Sequence, residues 1–156
     1  MAATPLEVRV FDGVRRAAEL ASVPEVARAK VYRRPTITVD PQRDTLPCVV
    51  VAPTPGANVG RSKTLSKLTW TYPVTAVLVT SHGWTSALGE SWRSGWAERV
   101  MRELDDNPLD GVPECTDIRP DSLTLIDLTA FDSAGLWVSR VSVVVTCRIP
   151  LTRCQR

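Results

Sequence analysis

The chain has 156 residues, the length of one domain and enough to bury a real core. Hydrophobic residues make up 44% and charged residues 23%, an ordinary globular balance, and 19 basic against 17 acidic residues leave a net charge of +2. That balance excludes nucleic-acid binding argued from charge alone, and no apolar run reaches the ~18–20 residues of a membrane span.

MAATPLEVRVF has no basic stretch followed by a long apolar one, so no signal peptide is expected. Thr4-Pro5-Leu6-Glu7 instead reads as a helix start, with Thr4 as cap, Pro5 at the first helical position and Glu7 three beyond the cap. Leu6, Val10, Val14 and Ala18, joined by Phe11 and Ala21, form an apolar stripe at helical spacing. Arg9, Asp12, Arg15, Arg16 and Glu19 take the other side. The spacing predicts a surface helix ending near Ala21, before Pro24.

Val26 to Arg34 (VARAKVYRR) reads as a basic strand stopped by Pro35, its charges a solvated edge that resists unwanted pairing. Thr36 to Leu46 is expected to be a connection, with a short extended piece at ITV, and Pro47 to Ala52 a short buried strand. Residues 53–66, PTPGANVGRSKTLS, break every periodicity and predict a long loop with a positive tip from Arg61, Lys63 and Lys67. At that length a loop is usually functional or disordered.

Leu68 to Thr80 (LTWTYPVTAVLVT) returns to alternation and predicts a strand, with Pro73 marking an edge or a bulge because it has no N–H to donate. From Ala87 to about Leu104 the period turns helical, with Leu88, Trp92, Trp96, Val100 and Leu104 four apart and Met101 alongside. Asn107-Pro108 and Asp110-Gly111 end it. Gly111 to Asp121 reads as an irregular connection, Ser122 to Phe131 as a strand, and Asp132 to Gly135 as a hairpin turn.

The return strand, Leu136 to Ile149 (LWVSRVSVVVTCRI), carries the clearest pattern in the chain. Trp137, Val141, Val143, Val145, Cys147 and Ile149 share one parity, and Arg140, Ser142, Thr146 and Arg148 the other. Period two with β-branched residues predicts one face packed on helices and the other turned to water or a partner. A basic tail, 151–156, follows.

Chemistry-bearing motifs are scarce. The single histidine, His82, lies beside Ser81 and Ser86 without a nucleophile-elbow pattern, and reads as a turn residue. GANVGRSK only loosely matches a phosphate loop, since three residues separate its glycines and Arg61 stands where lysine belongs. The aspartates, Asp105, Asp106, Asp117, Asp121 and Asp127, show no metal-site spacing. Cys48, Cys115, Cys147 and Cys154 lack the close pairs zinc needs and are expected to be free thiols in a reducing compartment. No cofactor, metal or catalytic residue is expected. Trp84, in the polar stretch SHGWTSALG, is the tryptophan that core packing explains least and a candidate interface anchor.

The elements add up to a single α+β domain over 1–156, a mixed or antiparallel sheet of about four or five strands with two amphipathic helices on one face. YPVTAVLVT, the Trp92–Leu104 helix and the closing WVSRVSVVVTCRIP strand, in this order and at this size, make the chain resemble the tail-terminator (tail-completion) proteins of long-tailed bacteriophages and prophages. The resemblance implies a non-enzymatic virion protein, assembled in the host cytoplasm as a homomeric ring, commonly a hexamer, at the head-proximal end of the tail tube. Its partners would be itself, the tail tube protein and a head or neck connector, with DNA passing through the lumen and no membrane involved. Another neck or head-closure component, or a small nucleic-acid- or ligand-binding module, is the alternative. Within this picture the contact residues are expected to be Arg61, Lys63 and Lys67 in the loop, Trp84, and Arg140 and Arg148 on the open sheet face.

Overall fold

The two alternating stretches resolve into the longest strands of the fold, β4 (Lys67–Ser81) and β6 (Leu136–Pro150), paired antiparallel from Lys67↔Pro150 to Ser81↔Leu136. In the computed structural model, which describes residues 3–21, 30–40, 42–81, 89–106, 109–124 and 136–151, four more strands join them. These are β1 (Val31–Arg33), β2 (Cys48–Pro53), β3 (Gly60–Lys63) and β5 (Cys115–Thr124). The sheet runs β1-β2-β4-β6-β5, with β3 pairing β4 beyond the end of β2. Among the described strands only the β1–β2 pair is parallel. The expected α+β architecture is observed, with six strands among the described residues where about four or five were expected.

Two helices, α1 (Leu6–Ala21) and α2 (Gly89–Asp106), cover one face of this sheet. Val10, Val14 and Ala18 of α1 and Trp96, Val100, Met101 and Leu104 of α2 meet Tyr72, Val74, Ala76 and Leu78 of β4. The same core takes Val141, Val143, Val145 and Cys147 from β6, the parity assigned to the core from sequence. Burying each large aliphatic side chain contributes roughly 1.5–3 kcal/mol, so this double row dominates the stability of the fold. Gly13 allows a close approach: a Cβ there would lie 2.6 Å from Cγ of Leu109, in the turn after α2.

The opposite face is not simply open. Cys48, Val77, Val79 and Val138 form a second buried cluster, capped by Tyr32, Ile37, Val39, Leu46 and Leu136. The stretch from Thr36 to Leu46, expected to be a connection, therefore belongs to the crossover between parallel neighbours β1 and β2, and its Ile37, Val39 and Leu46 bring apolar cover to the far side. Arg34 holds this crossover down, with contacts of 2.8 and 2.6 Å to both carboxylate oxygens of Asp44 and one of 2.6 Å to the carbonyl of Thr38. Arg33 reaches Asp12 of α1 at 3.6 Å. At the basic end of the first predicted strand Arg34 is thus paired within the fold, while Arg33 remains exposed on an edge strand, as expected.

Two further expectations are corrected. The predicted loop 53–66 contains β3: Pro55-Gly56 forms a tight turn, with Gly56 at φ +74° and the Ala57 amide 3.2 Å from the Thr54 carbonyl. Gly60 to Lys63 then folds back on β4. Thr64 to Lys67 closes that hairpin, which is why a polar tract without alternation is still a strand. The predicted irregular stretch 111–121 is strand from Cys115 onward, its periodicity hidden by irregularities between Cys115 and Asp117 and between Pro120 and Ser122. Such bulges shift the side-chain parity and erase the sequence signature.

Pro73 keeps the edge position expected at that point, although it lies in the middle of the central strand: β2 ends opposite Val74 and β3 begins opposite Thr71. Its carbonyl accepts from the Thr54 amide at 3.1 Å, so its missing N–H points to the same side, into the gap between the end of β2 at Pro53 and the start of β3 at Gly60. A proline is tolerated there because no neighbour needs the donor.

Several expectations fall outside the described residues: 26–29 of the first strand, His82, Trp84 and Leu88, the terminator Asn107-Pro108, residues 125–135 of the last hairpin with Asp127, and the tail 152–156 with Cys154.

Candidate functional site

Two regions present chemistry that the core does not absorb. The first is an arm built from β3, the start of β4 and the end of β6. β4 and β6 each run 15 residues, about 50 Å at strand rise. Toward the tip, residues 61–67 are all exposed, and the amide of Leu151 closes the end by donating to Ser66 O at 2.9 Å. Leu65, in the turn itself, is 97% exposed, and Val59 at the root of β3 is 47% exposed. Leu65 therefore gains almost nothing from the fold of this chain, while Val59 is about half covered.

Arg61, Lys63 and Lys67 all lie on this arm, as expected, but not as one patch. Arg61 stands opposite Trp70 and Lys63 opposite Leu68, on the face the helices occupy further along the sheet. Lys67, opposite Pro150, has the other parity. The Arg61 guanidinium lies 5.5 Å over the Trp70 ring, which in turn stacks on Tyr72 at 6.2 Å. That contact holds the cation against the sheet and links arm to core.

The second region is a polar cavity of about 390 Å³ on the far face of the sheet, lined by Ile37, Thr54, Pro55, Thr75, Ser122, Arg140 and Ser142. Across its floor runs a chain of hydroxyls: Thr54 Oγ1 to Thr75 Oγ1 at 2.8 Å and Thr75 Oγ1 to Ser142 Oγ at 2.9 Å. Thr75 and Ser142 are buried, so each needs the other as a partner. Arg140 brings a guanidinium to the same space, and hydroxyls with a guanidinium suit a small oxyanion.

Arg140 and Arg148 share the far-face parity, as predicted, and both are exposed. The register puts Arg140 opposite Val77 and Arg148 opposite Thr69, eight residues apart, so roughly 26 Å separates them along the strand. Between them the face is more closed than expected, since Ser142 and Thr146 are buried. Trp84 lies outside the described residues.

Among the described residues no three His, Cys, Asp or Glu side chains are placed to hold a metal ion. Sequence reasoning missed Leu65 and the hydroxyl chain. A lone leucine inside SKTLSK was the available signal for the first. Nothing in the spacing of Thr54, Thr75 and Ser142 announced the second, because pairing across three strands creates it. No family model matches the chain, and no curated protein matches it in sequence.

Proposed function

We propose that this chain is a structural rather than a catalytic protein. It is a subunit that closes into a homomeric ring and, in line with its resemblance to tail terminators, caps the head-proximal end of a phage tail tube and joins it to the head or neck. The observation that carries this reading is the arm, a paired β platform with an almost fully exposed Leu65 at its tip and Arg61, Lys63 and Lys67 around it. A protruding element received by a different surface on the next copy is a heterologous contact. Repeated around an axis, such contacts close a ring. The arm's charge gives a neighbouring tube or connector subunit an electrostatic handle in addition.

The test is the mass of the purified protein in solution and its appearance by electron microscopy, with Leu65→Asp and the triple Arg61→Ser/Lys63→Ser/Lys67→Ser change compared with the wild type. Rings are expected for the wild type and their loss for Leu65→Asp. The triple variant should keep its melting temperature but fail to join heads to tails in an assembly extract. A monomer at every concentration and salt condition overturns the ring reading, and full joining by the triple variant removes the arm from it.

One observation favours a second reading. The cavity beside Arg140 suits a small anionic ligand, which would make the chain a binding module. Saturable calorimetric binding of phosphate or a dicarboxylate that Arg140→Gln abolishes would support that alternative over the ring.

A further inference from the structure

We propose that Cys115 and Cys147 are a redox-active dithiol that closes into a cross-strand disulfide when it reacts with a small disulfide oxidant such as oxidised glutathione. The two residues are direct partners in the β5–β6 ladder. Arg148 donates its amide to Glu114 O at 2.9 Å, which makes Glu114 and Arg148 a hydrogen-bonded pair. Cys115 and Cys147, one step along both strands, therefore occupy the non-hydrogen-bonded position. At such positions the Cα atoms approach to about 4.5 Å and the side chains lie closer than elsewhere in a ladder. That spacing falls within the ~4.4–6.8 Å a disulfide spans. Both thiols face the helix side at the edge of the main core, and Thr116, left over by the irregularity after Cys115, gives β5 local room to adjust.

Access separates the two sulfurs. Cys147 is fully buried, whereas Cys115 keeps part of its surface exposed. A side-chain hydrogen bond with Cys147 holds the Cys115 thiol below its ordinary value and pushes Cys147 up, so Cys115 ionises more readily of the two. Cys115, its proton given up to water, attacks one sulfur of oxidised glutathione as the thiolate; the S–S bond breaks and releases one glutathione thiolate, which takes a proton back from water. Cys147 then attacks the Cys115 sulfur of the mixed disulfide, expelling a second glutathione that takes up the Cys147 proton. Two protein thiols are oxidised, one glutathione disulfide is reduced to two thiols, and the atoms balance. Cys48 cannot compete, because it lies on the opposite face, is fully buried, and burial pushes its thiol up to about 11. Closure would fasten the edge strand β5 to β6. The inference is independent of the ring reading.

The experiment is incubation of the folded full-length protein with oxidised glutathione, followed by thiol counting and non-reducing peptide mass mapping. The count should fall from four to two, with the peptides of Cys115 and Cys147 joined and a reductant reversing the link. Cys154→Ser should react like the wild type, and Cys115→Ser should form no internal link. A stable glutathione adduct on Cys115 without closure, or a link that runs to Cys48 or Cys154, overturns the proposal.

Discussion

Arg9 of α1 and Glu114, which lie 105 positions apart, form a two-pronged ion pair with both nitrogen–oxygen contacts at 2.9 Å. The pair fastens the first helix to the residue that leads into β5, so it ties the start of the chain to the edge of the sheet. Their side chains are 31% and 27% exposed, so solvent trims the interaction. Arg9→Ala is expected to cost about 1 kcal/mol, or a fall of about 2–4 °C in melting temperature for a chain of this size. The Arg9 hydrogen bond holds the Glu114 carboxyl below its ordinary value. The pair's contribution is therefore present above the unfolded-state pKa and lost as pH falls through the lower folded one. Glu114→Gln should remove that part of the acid sensitivity in melts followed from neutral to acid pH.

A second acid-sensitive contact guards the far face. The Arg34 guanidinium holds the Asp44 carboxyl down at about 2, helped by the Asp40 amide at 2.9 Å. Since the folded value is depressed, this contribution is complete above pH ~4 and vanishes as pH falls toward 2. Asp44→Asn should melt earlier than the wild type at neutral pH, and the two should converge near pH 2. Amide exchange in residues 35–47 is the local readout, and faster exchange in the variant at neutral pH is expected.

The hydroxyl chain predicts the cost of a near-isosteric change. Thr75→Val keeps the volume but leaves the buried Ser142 hydroxyl without its partner at 2.9 Å. Thr54 is better placed to recover a bond from water, so the total should be about 1–2 kcal/mol. Urea unfolding should show a lower midpoint with an unchanged slope, and Thr75→Ser should restore most of the loss.

Gly13 offers a test of sign. Gly→Ala inside a helix ordinarily stabilises by up to about 1 kcal/mol. Here the added methyl would meet Leu109 Cγ at 2.6 Å and the Asp110 carbonyl at 3.2 Å. Overpacking of that kind costs ~1–3 kcal/mol, so Gly13→Ala should destabilise. In a Leu109→Ala background the same substitution should lose most of its penalty, which calorimetric melts of the four variants would read.

The regular elements were written in the order of the residues. The 3.6-residue stripe of Val10, Val14 and Ala18 places α1, and the alternation of Val141, Val143, Val145 and Cys147 places β6 and its core face, because periodicity alone puts those side chains on one side. The parity of Arg140 and Arg148 was legible for the same reason. Other features depend on what lies beside a residue in space, which no local pattern encodes. Pro73 sits in a central strand because two other strands leave a gap opposite its nitrogen. Gly60 to Lys63 becomes a strand through its pairing with β4, not through its own alternation. The Ile37–Val39 crossover covers the far face, and Cys115 meets Cys147, only because the ladder registers bring them there. Local sequence thus determined which face of α1 and of β6 is apolar. Register between strands distant in the chain decided which polar groups and thiols meet.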